Sequence, residues 1–204
     1  MIEFHYKGDV YTIDGGLIWR GYAPAGETYR DTSASELWGL VSDIESGIPW
    51  RDAVRGKYES KDPWLCRIVT DHARDLFIRQ FPVPPKSLIL DVGAGWGQYT
   101  LPLARTNRVV SVEPTQERLA FIYAAARQDG VSENVYFIES NMLDLSFSQR
   151  FDCAYCIGVL EWVPKFHDGD PWGGQREFLI SIRKALRRGG RAVVGIENRM
   201  GLKY

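Results

Sequence analysis

The residues most suggestive of chemistry are an acid and three glycines that follow a strand-like run. In "LILDVGAGWG" the acid is Asp91 and the glycines are Gly93, Gly95 and Gly97. Glycines let the backbone approach a bound molecule closely, because no Cβ stands in the way. The Asp91 carboxylate would repel an anionic group and attract a cation such as an ammonium or a sulfonium. The pattern therefore indicates a site for a positively charged nucleoside cofactor, with a mere tight turn as the alternative.

The spacing of the glycines argues against a dinucleotide site. That fingerprint is G-x-G-x-x-G after a strand, whereas the position of its third glycine is Gln98 in this chain. A pyrophosphate binds backbone N–H groups at a positive helix end, and the Asp91 charge would oppose it there. A nicotinamide-dependent oxidoreductase is therefore disfavoured.

A second acid, Glu113, ends the next strand-like run, "RVVSVEP", 20 residues after Gly93. A carboxylate at the tip of a neighbouring strand can accept hydrogen bonds from both hydroxyls of a ribose. Glu113 is therefore a candidate ligand for a ribose, as the family resemblance described below also implies, and a solvated strand end is the alternative interpretation.

These residues can form one site only in a fold that brings the ends of neighbouring strands together. The sequence from about Lys86 onward predicts such a fold. Strand-like runs cover 87–92, 108–114, 134–140, 151–160 and 191–197, and helical runs cover 97–106, 115–130 and 174–190. Strands that alternate with helices predict an α/β fold with a doubly wound, mostly parallel Rossmann-like sheet and helices on both faces. Ligands of such sheets bind beyond the carboxyl ends of the strands, where Asp91, Glu113, Asn141 and Ile157 are expected.

The first part of the chain differs from this alternation. Residues 4–20 read as short strands and turns, and helices are predicted at 35–43 and 63–81. We expect residues 1–60 to be an N-terminal extension that supplies edge strands or a substrate lid. Residues 61–204 would form the cofactor-binding domain, either truncated after its fifth strand or completed at that edge by 4–20. Aromatic and cationic residues of the N-terminal region suit sugar rings or phosphate groups, or else form a small satellite core: Tyr29, Arg30, Trp38, Trp50, Arg51, Tyr58 and Trp64.

Composition excludes several classes of function. The 204 residues have a formal net charge of −1, so no overall basic field would attract nucleic acid. A basic run at 183–191 is interpreted as cations favoured at a helix end. No apolar run is long enough to span a membrane, and the N-terminus lacks the pattern of a secretory signal.

Three cysteines indicate a reducing compartment, most simply the cytoplasm. Cys153 and Cys156 form a C-x-x-C inside a predicted strand, where residues three apart face opposite ways. No second cysteine pair or spaced histidines would complete a metal site, so no metal is predicted.

Five segments in order resemble class I S-adenosylmethionine-dependent methyltransferases. They are "LILDVGAGWGQYTLPLA", "VVSVEPT", "VYFIESNMLDLSF", "FDCAYCIGVLEWVP" and "FLISIRKALRRGGRAVVGIEN". The ending "GIENRMGLKY" more faintly resembles methyltransferases of bacterial surface-polysaccharide assembly, which are often fused to other modules. The resemblance covers nothing before about residue 60.

The resemblance implies S-adenosylmethionine as the cofactor and assigns residues to it. Asp91 would hold the ammonium end, directly or through water, and the Gly93 and Ile157 carbonyls would assist. Asn141 stands where the family usually has an aspartate for the adenine amino group, and Met142 would offer a backbone N–H or cover the base. The predicted cofactor-binding residues are Asp91, Gly93, Ala94, Gly95, Gly97, Glu113, Pro114, Asn141, Met142 and Ile157.

The implied activity is in-line methyl transfer to a small molecule or glycan, such as a sugar or phosphate group. Glu161 follows the fourth strand and is a candidate base, although such acids also cap or pair. His167, in a polar loop, is a second candidate base or a solvated side chain. Trp162 occupies a place where many relatives have His. The alternative is a non-catalytic S-adenosylmethionine-binding module of a larger protein.

Overall fold

The computed structural model describes residues 1–21, 31–72, 75–165 and 170–196 of the chain. Its strands are β1 (Ile2–Tyr6), β2 (Asp9–Ile13), β3 (Ile18–Arg20), β4 (Leu88–Val92), β5 (Arg108–Val112), β6 (Val135–Glu139), β7 (Leu145–Phe147), β8 (Phe151–Ile157) and β9 (Leu186–Gly195). Its α-helices are α1 (Ala34–Glu45), α2 (Trp50–Tyr58), α3 (Pro63–Thr70), α4 (Asp75–Gln80), α5 (Thr100–Leu103), α6 (Gln116–Gln128) and α7 (Pro171–Ala185).

The main sheet has six strands in the order β3-β6-β5-β4-β8-β9. Every neighbouring pair in it is parallel, so the predicted parallel Rossmann-like fold is confirmed. The chain moves from β4 through β5 to β6 on one side and then returns to β8 on the other side of β4. The strand order therefore reverses beside β4, where an open parallel sheet forms its ligand crevice.

Helices cover both faces of the main sheet, because its strands are buried on both sides. Ile89 of β4 belongs to one apolar cluster, together with α1, α2, α3 and α6. Leu88 and Leu90 belong to a second cluster, against α7. This alternation puts Asp91 on the same face as Ile89. The extension helices α1 and α2 thus share a core with the sheet, and the domain boundary at residue 60 stays a prediction.

The first two strands form a small antiparallel sheet in the order β2-β1-β7. β7 was not predicted, because three residues are too few to show a period. β3 joins the main sheet beside β6, with Trp19 in register with Ile138. This edge is opposite β9, so the alternative that residues 4–20 cover the edge of the fifth strand is wrong.

Several predicted helices differ in extent. The run at 97–106 shortens to α5, because left-handed glycines occupy the preceding turn up to Gly97. The run at 63–81 divides into α3 and α4, and α2 was not predicted. Leu179, predicted to face the core, is 38% exposed, whereas Phe178 and Ile182 are buried.

The side chains of Cys153 and Cys156 lie in opposite apolar clusters, as predicted. Both thiols are free, and so is that of Cys66. Within the described ranges, no group of three His, Cys, Asp or Glu side chains could hold a metal ion. None of the described helices is both long enough and apolar enough to cross a membrane.

Candidate cofactor site

The glycine loop after β4 lies at the reversal of strand order and is fixed to the end of β5. The backbone N–H groups of Gly93 and Ala94 donate to the Val112 carbonyl at 2.9 and 3.0 Å. Gly93, Gly95 and Gly97 have φ values of +69°, +58° and +77°, a region that other residues rarely adopt. The loop conformation therefore favours glycine at all three positions.

The three glycines differ in what surrounds them. A Cβ on Gly93 would stand 2.5 Å from Cγ2 of Val159, and one on Gly97 would stand 3.0 Å from Cγ2 of Ile122. On Gly95 the nearest atom would be the Gly93 carbonyl oxygen, at 3.8 Å. Gly93 and Gly97 thus pack against the protein, whereas space remains beside Gly95 for a ligand to approach the backbone.

Glu113 links the glycine loop to the start of α6. Its side chain is 3% exposed, and its two carboxylate oxygens accept from the Gly95 N–H at 2.9 Å and the Thr115 N–H at 3.0 Å. Burial raises the pKa of Glu113, and the charge of Arg118 opposes that rise. A carboxylate has about four acceptor positions, so Glu113 can still accept from two ribose hydroxyls.

Asp91 is buried behind the loop rather than open to the crevice. Its Oδ2 accepts from the Thr100 hydroxyl at 2.6 Å, and that hydroxyl lies 3.1 Å from Oγ of Ser111. Burial raises the pKa of Asp91 to about 7, opposed by the hydrogen bonds from Thr100, while the charge of Glu113 adds to the rise. In the structure Asp91 therefore holds the start of α5, a role that sequence reasoning missed.

A partly buried ion pair and a hydrogen bond join the N-terminal extension to α6 and to the glycine loop. The Asp31 carboxylate accepts from Nη2 of Arg118 at 2.5 Å and from Nε1 of Trp96 at 3.0 Å. Trp96 lies between Gly95 and Gly97, and Arg118 lies in the first turn of α6. A cation is disfavoured in the first turn of a helix. The position of Arg118 at the start of a predicted helix was therefore the sequence feature that could have indicated a carboxylate partner.

The predicted adenine residues lie at the end of β6. The Asn141 side chain caps a 3-10 turn, Met142–Asp144, because its Oδ1 accepts from the Leu143 N–H at 3.1 Å. The Asn141 amide can still accept a second hydrogen bond. The Met142 side chain is 1% exposed and packs in the apolar cluster on the α7 face, so it fills the core.

The end of β8 contributes the last residues near the loop. Ile157 is half-buried and packs with the α6-side cluster, and Val159 is the side chain that a Cβ on Gly93 would strike. Glu161 follows in a 3-10 turn, Leu160–Lys165, and is half-buried. Pro114 lies between Glu113 and the start of α6. His167 lies outside the described residues, so its predicted role stays a prediction.

The aromatic residues of the extension divide into two groups. Trp50 and Tyr58 are buried in the same apolar cluster as Ile89 of β4, and Trp50 Nε1 donates to Asp129 at 3.1 Å, so they belong to the main core and not to a small satellite core. Trp38 and Trp64 are 41% and 54% exposed. Tyr29 and Arg30 lie outside the described residues.

A family model for a methyltransferase domain matches residues 89–190, half of the chain. The chain belongs to this family. The match starts inside β4 and includes the glycine loop, Glu113 and the end of β8. Its fold is that of class I S-adenosylmethionine-dependent methyltransferases, and S-adenosylmethionine is the cofactor of this methyltransferase domain.

Two curated relatives of the domain are named for different processes, one for tRNA modification and one for ubiquinone biosynthesis. A "tRNA U34 carboxymethyltransferase" of Alteromonas mediterranea is 32% identical over 190 residues, which cover 80% of this chain and 52% of that protein. A "Ubiquinone biosynthesis O-methyltransferase" of Rickettsia canadensis is 25% identical over 142 residues, which cover 69% of this chain and 52% of that protein. The chain thus spans about half the length of these relatives.

A solved structure supports the fold of the methyltransferase domain. The "[4+2]-Cyclase SpnF" superposes with a TM-score of 0.55 and 21% identity, covering 82% of this chain and 62% of that one. An identity this low shows the shared fold alone. Since that protein is named for a cyclisation, the activity of this chain must be argued from its own site.

Proposed function

We propose that the protein transfers the methyl group of S-adenosylmethionine to a small organic acceptor, such as a phenol, a sugar or a phosphate group. The observation that supports this proposal most directly is the pairing of Gly95 with Glu113 at the reversal of strand order. The cofactor supplies a methyl group already activated on a sulfonium centre. The protein then has to bind it, orient the acceptor and exclude water.

We assign the ribose hydroxyls to Glu113 and the adenine to the Asn141 side chain and the Met142 backbone N–H. The ammonium end would lie at the Gly93 and Ile157 carbonyls, and the Asp91 carboxylate, buried behind the loop, would act through water. Ala94, Gly95, Gly97 and Pro114 would shape the walls of this site. The open space beside Gly95 and the spare acceptor capacity of Glu113 support the assignment.

We assign the acceptor side to the segment after β8. Val159 contacts the glycine loop, and Glu161 lies two residues further on in a half-buried turn. A carboxylate in this position can take the proton that an acceptor hydroxyl loses as the methyl group arrives. His167 is the second proposed base, and the first 60 residues are the proposed lid and specificity region.

The test is methyl transfer with purified protein, measured as formation of the demethylated cofactor. Wild-type protein should bind S-adenosylmethionine but not NAD in calorimetry, and should turn over with at least one acceptor class. Glu161→Gln should retain cofactor affinity and lose about a hundredfold or more in turnover, the usual contribution of a general base. Glu45→Gln, an exposed acid on α1, is the matched control and should change neither.

A second candidate acceptor is tRNA, favoured by the Alteromonas relative, whose name specifies that substrate. The name of the Rickettsia relative instead favours a small quinone precursor, and the net charge of −1 agrees better with a small acceptor. An acceptor panel of phenols, sugar phosphates and bulk tRNA would decide between them. Turnover with tRNA alone would replace the small-molecule proposal.

The alternative to catalysis is a cofactor-binding module of a larger protein. Saturable S-adenosylmethionine binding without turnover on any acceptor, in wild type and in Glu161→Gln alike, would support that alternative. We further propose a cytoplasmic location, because the three thiols are free and reduced thiols are typical of that compartment.

A further inference from the structure

The amino edge of the main sheet, opposite the glycine loop, collects exposed cations from four neighbouring strands. They precede or begin β5, β4 and β8 or lie in the first six residues of β9, and these strands are adjacent in that order. These six residues, named the amino-edge cations, are Lys86, Arg105, Arg108, Arg150, Arg188 and Arg191, and all six are exposed. They come from four separate segments of the sequence, and the parallel sheet brings these segments to one side.

Hydrogen bonds at the strand starts show that these segments are neighbours. The Lys86 N–H donates to the Thr106 carbonyl at 2.7 Å, and the Arg108 N–H donates to the Ser87 carbonyl at 3.0 Å. Further along, Asp152 accepts from the Leu88 N–H at 2.8 Å, which joins β4 to β8. With about 4.8 Å between strands, the cations span about 15 Å along the edge.

Little negative charge balances this row. Asp152 is the carboxylate at the starts of β5, β4, β8 and β9, and its second oxygen accepts from Nε of Arg187 at 2.6 Å. An exposed carboxylate, Glu133, precedes the neighbouring strand β6. In the described part of the chain, no ion pair joins an amino-edge cation to a carboxylate. The edge is therefore locally positive although the chain has a net charge of −1.

An exposed apolar turn lies among these cations. It covers 81–85, "FPVPP", between α4 and Lys86, and the Phe81 side chain is 41% exposed. The Pro82 carbonyl accepts from Nη2 of Arg191 at 2.8 Å, so the turn lies against β9. Prolines have no N–H to offer a nucleic-acid phosphate, whereas apolar groups beside cations suit the boundary between lipid headgroups and acyl chains.

We propose that the amino edge is a docking surface for a membrane that contains anionic phospholipids. The amino-edge cations would lie near the headgroup phosphates, and Phe81 would enter the headgroup layer. Strands of five residues place the opposite edge about 17 Å away. The cofactor site therefore faces away from the lipid, and docking leaves it open.

The test is co-sedimentation of the full chain with vesicles of phosphatidylcholine, with and without phosphatidylglycerol. Binding should require the anionic lipid and should weaken in high salt, which screens charge. The double substitution Arg108→Glu with Arg188→Glu should reduce the partition coefficient at least about tenfold. The matched control, Arg67→Glu with Arg176→Glu, makes the same charge change at exposed positions elsewhere and should bind like wild type.

A third variant separates docking from folding. Phe81→Ser should weaken vesicle binding severalfold and leave its salt dependence unchanged, with thermal unfolding recorded for every variant. Equal loss in the control pair, or no binding of wild type to anionic vesicles, would overturn the proposal. Fluorescence anisotropy with a labelled RNA duplex is the last arm, and tight RNA binding without vesicle binding would identify a nucleic-acid surface instead.

Discussion

The two edges of the main sheet hold charges of opposite sign in opposite environments. At the carboxyl edge Asp91 and Glu113 are buried, and protein N–H and O–H groups donate to both. At the amino edge the six cations are exposed to water. Buried charges need fixed partners to offset their loss of hydration, whereas exposed charges do not. Substitutions at the carboxyl edge should therefore alter stability, and those at the amino edge should alter only association.

The largest expected effect is a change in how the free energy of unfolding depends on pH, and it comes from substituting Asp91. The pKa of Asp91 is raised to about 7 from 3.8, so between these values the folded chain holds a proton that the unfolded chain has lost. Stability should fall as the pH rises from about 4 to about 7. Asp91→Asn should remove this loss and add at most about 4 kcal/mol at pH 8. Urea unfolding at several pH values measures this free energy. If its slope against pH were the same in Asp91→Asn and wild type, the raised pKa of Asp91 would be contradicted.

The next effect is the loss of the buried acceptor in Glu113→Ala. This change leaves the Gly95 and Thr115 N–H groups without their partner and should cost about 3 kcal/mol of unfolding free energy. Calorimetry should detect no cofactor binding. Glu113→Gln is the control, since it keeps one carbonyl oxygen and should recover part of the stability. Equal stability of Glu113→Ala and wild type would show that the loop does not depend on this carboxylate.

Two alanine substitutions in the glycine loop can be compared, and both should change stability less than the substitutions at Asp91 and Glu113. Gly93→Ala combines a positive φ with a 2.5 Å approach to Val159 and should cost about 2 to 3 kcal/mol. Gly95→Ala has the positive φ without the close approach and should cost about 1 kcal/mol. Thermal unfolding ranks the two, and a larger loss at Gly95 would contradict the described packing. Cofactor affinity should fall in both.

The smallest effect is expected at the amino edge. Arg188→Gln should change the unfolding free energy by less than about 0.5 kcal/mol, because the side chain is exposed. Cofactor affinity should also stay within error of wild type. A loss comparable to that of Gly93→Ala would mean that the cation supports the fold and that the two edges do not differ as described.

Residues whose signals are local were predictable from the sequence. The three glycines need a backbone that few other residues adopt, and the strands β4, β5, β6 and β8 are apolar runs bounded by turns. The site residues Asp91 and Glu113 were predicted because each ends such a run. Their partners were not, because Thr100 and Ser111 are ordinary residues of a helix start and a strand. Asp31 lies 65 positions from Trp96, and no local pattern reveals such a contact.

The parallel sheet, the glycine loop and the acids at the strand ends follow from the order of the amino acids, because backbone conformation and hydrophobic period are local properties. The pairing of β3, the orientation of Asp91 toward α5 and the meeting of six cations at one edge are set by contacts between distant segments of the folded chain. Those outcomes depend on which strands are neighbours and on which face each side chain packs. These features are therefore established only when residues that are distant in the sequence come into contact.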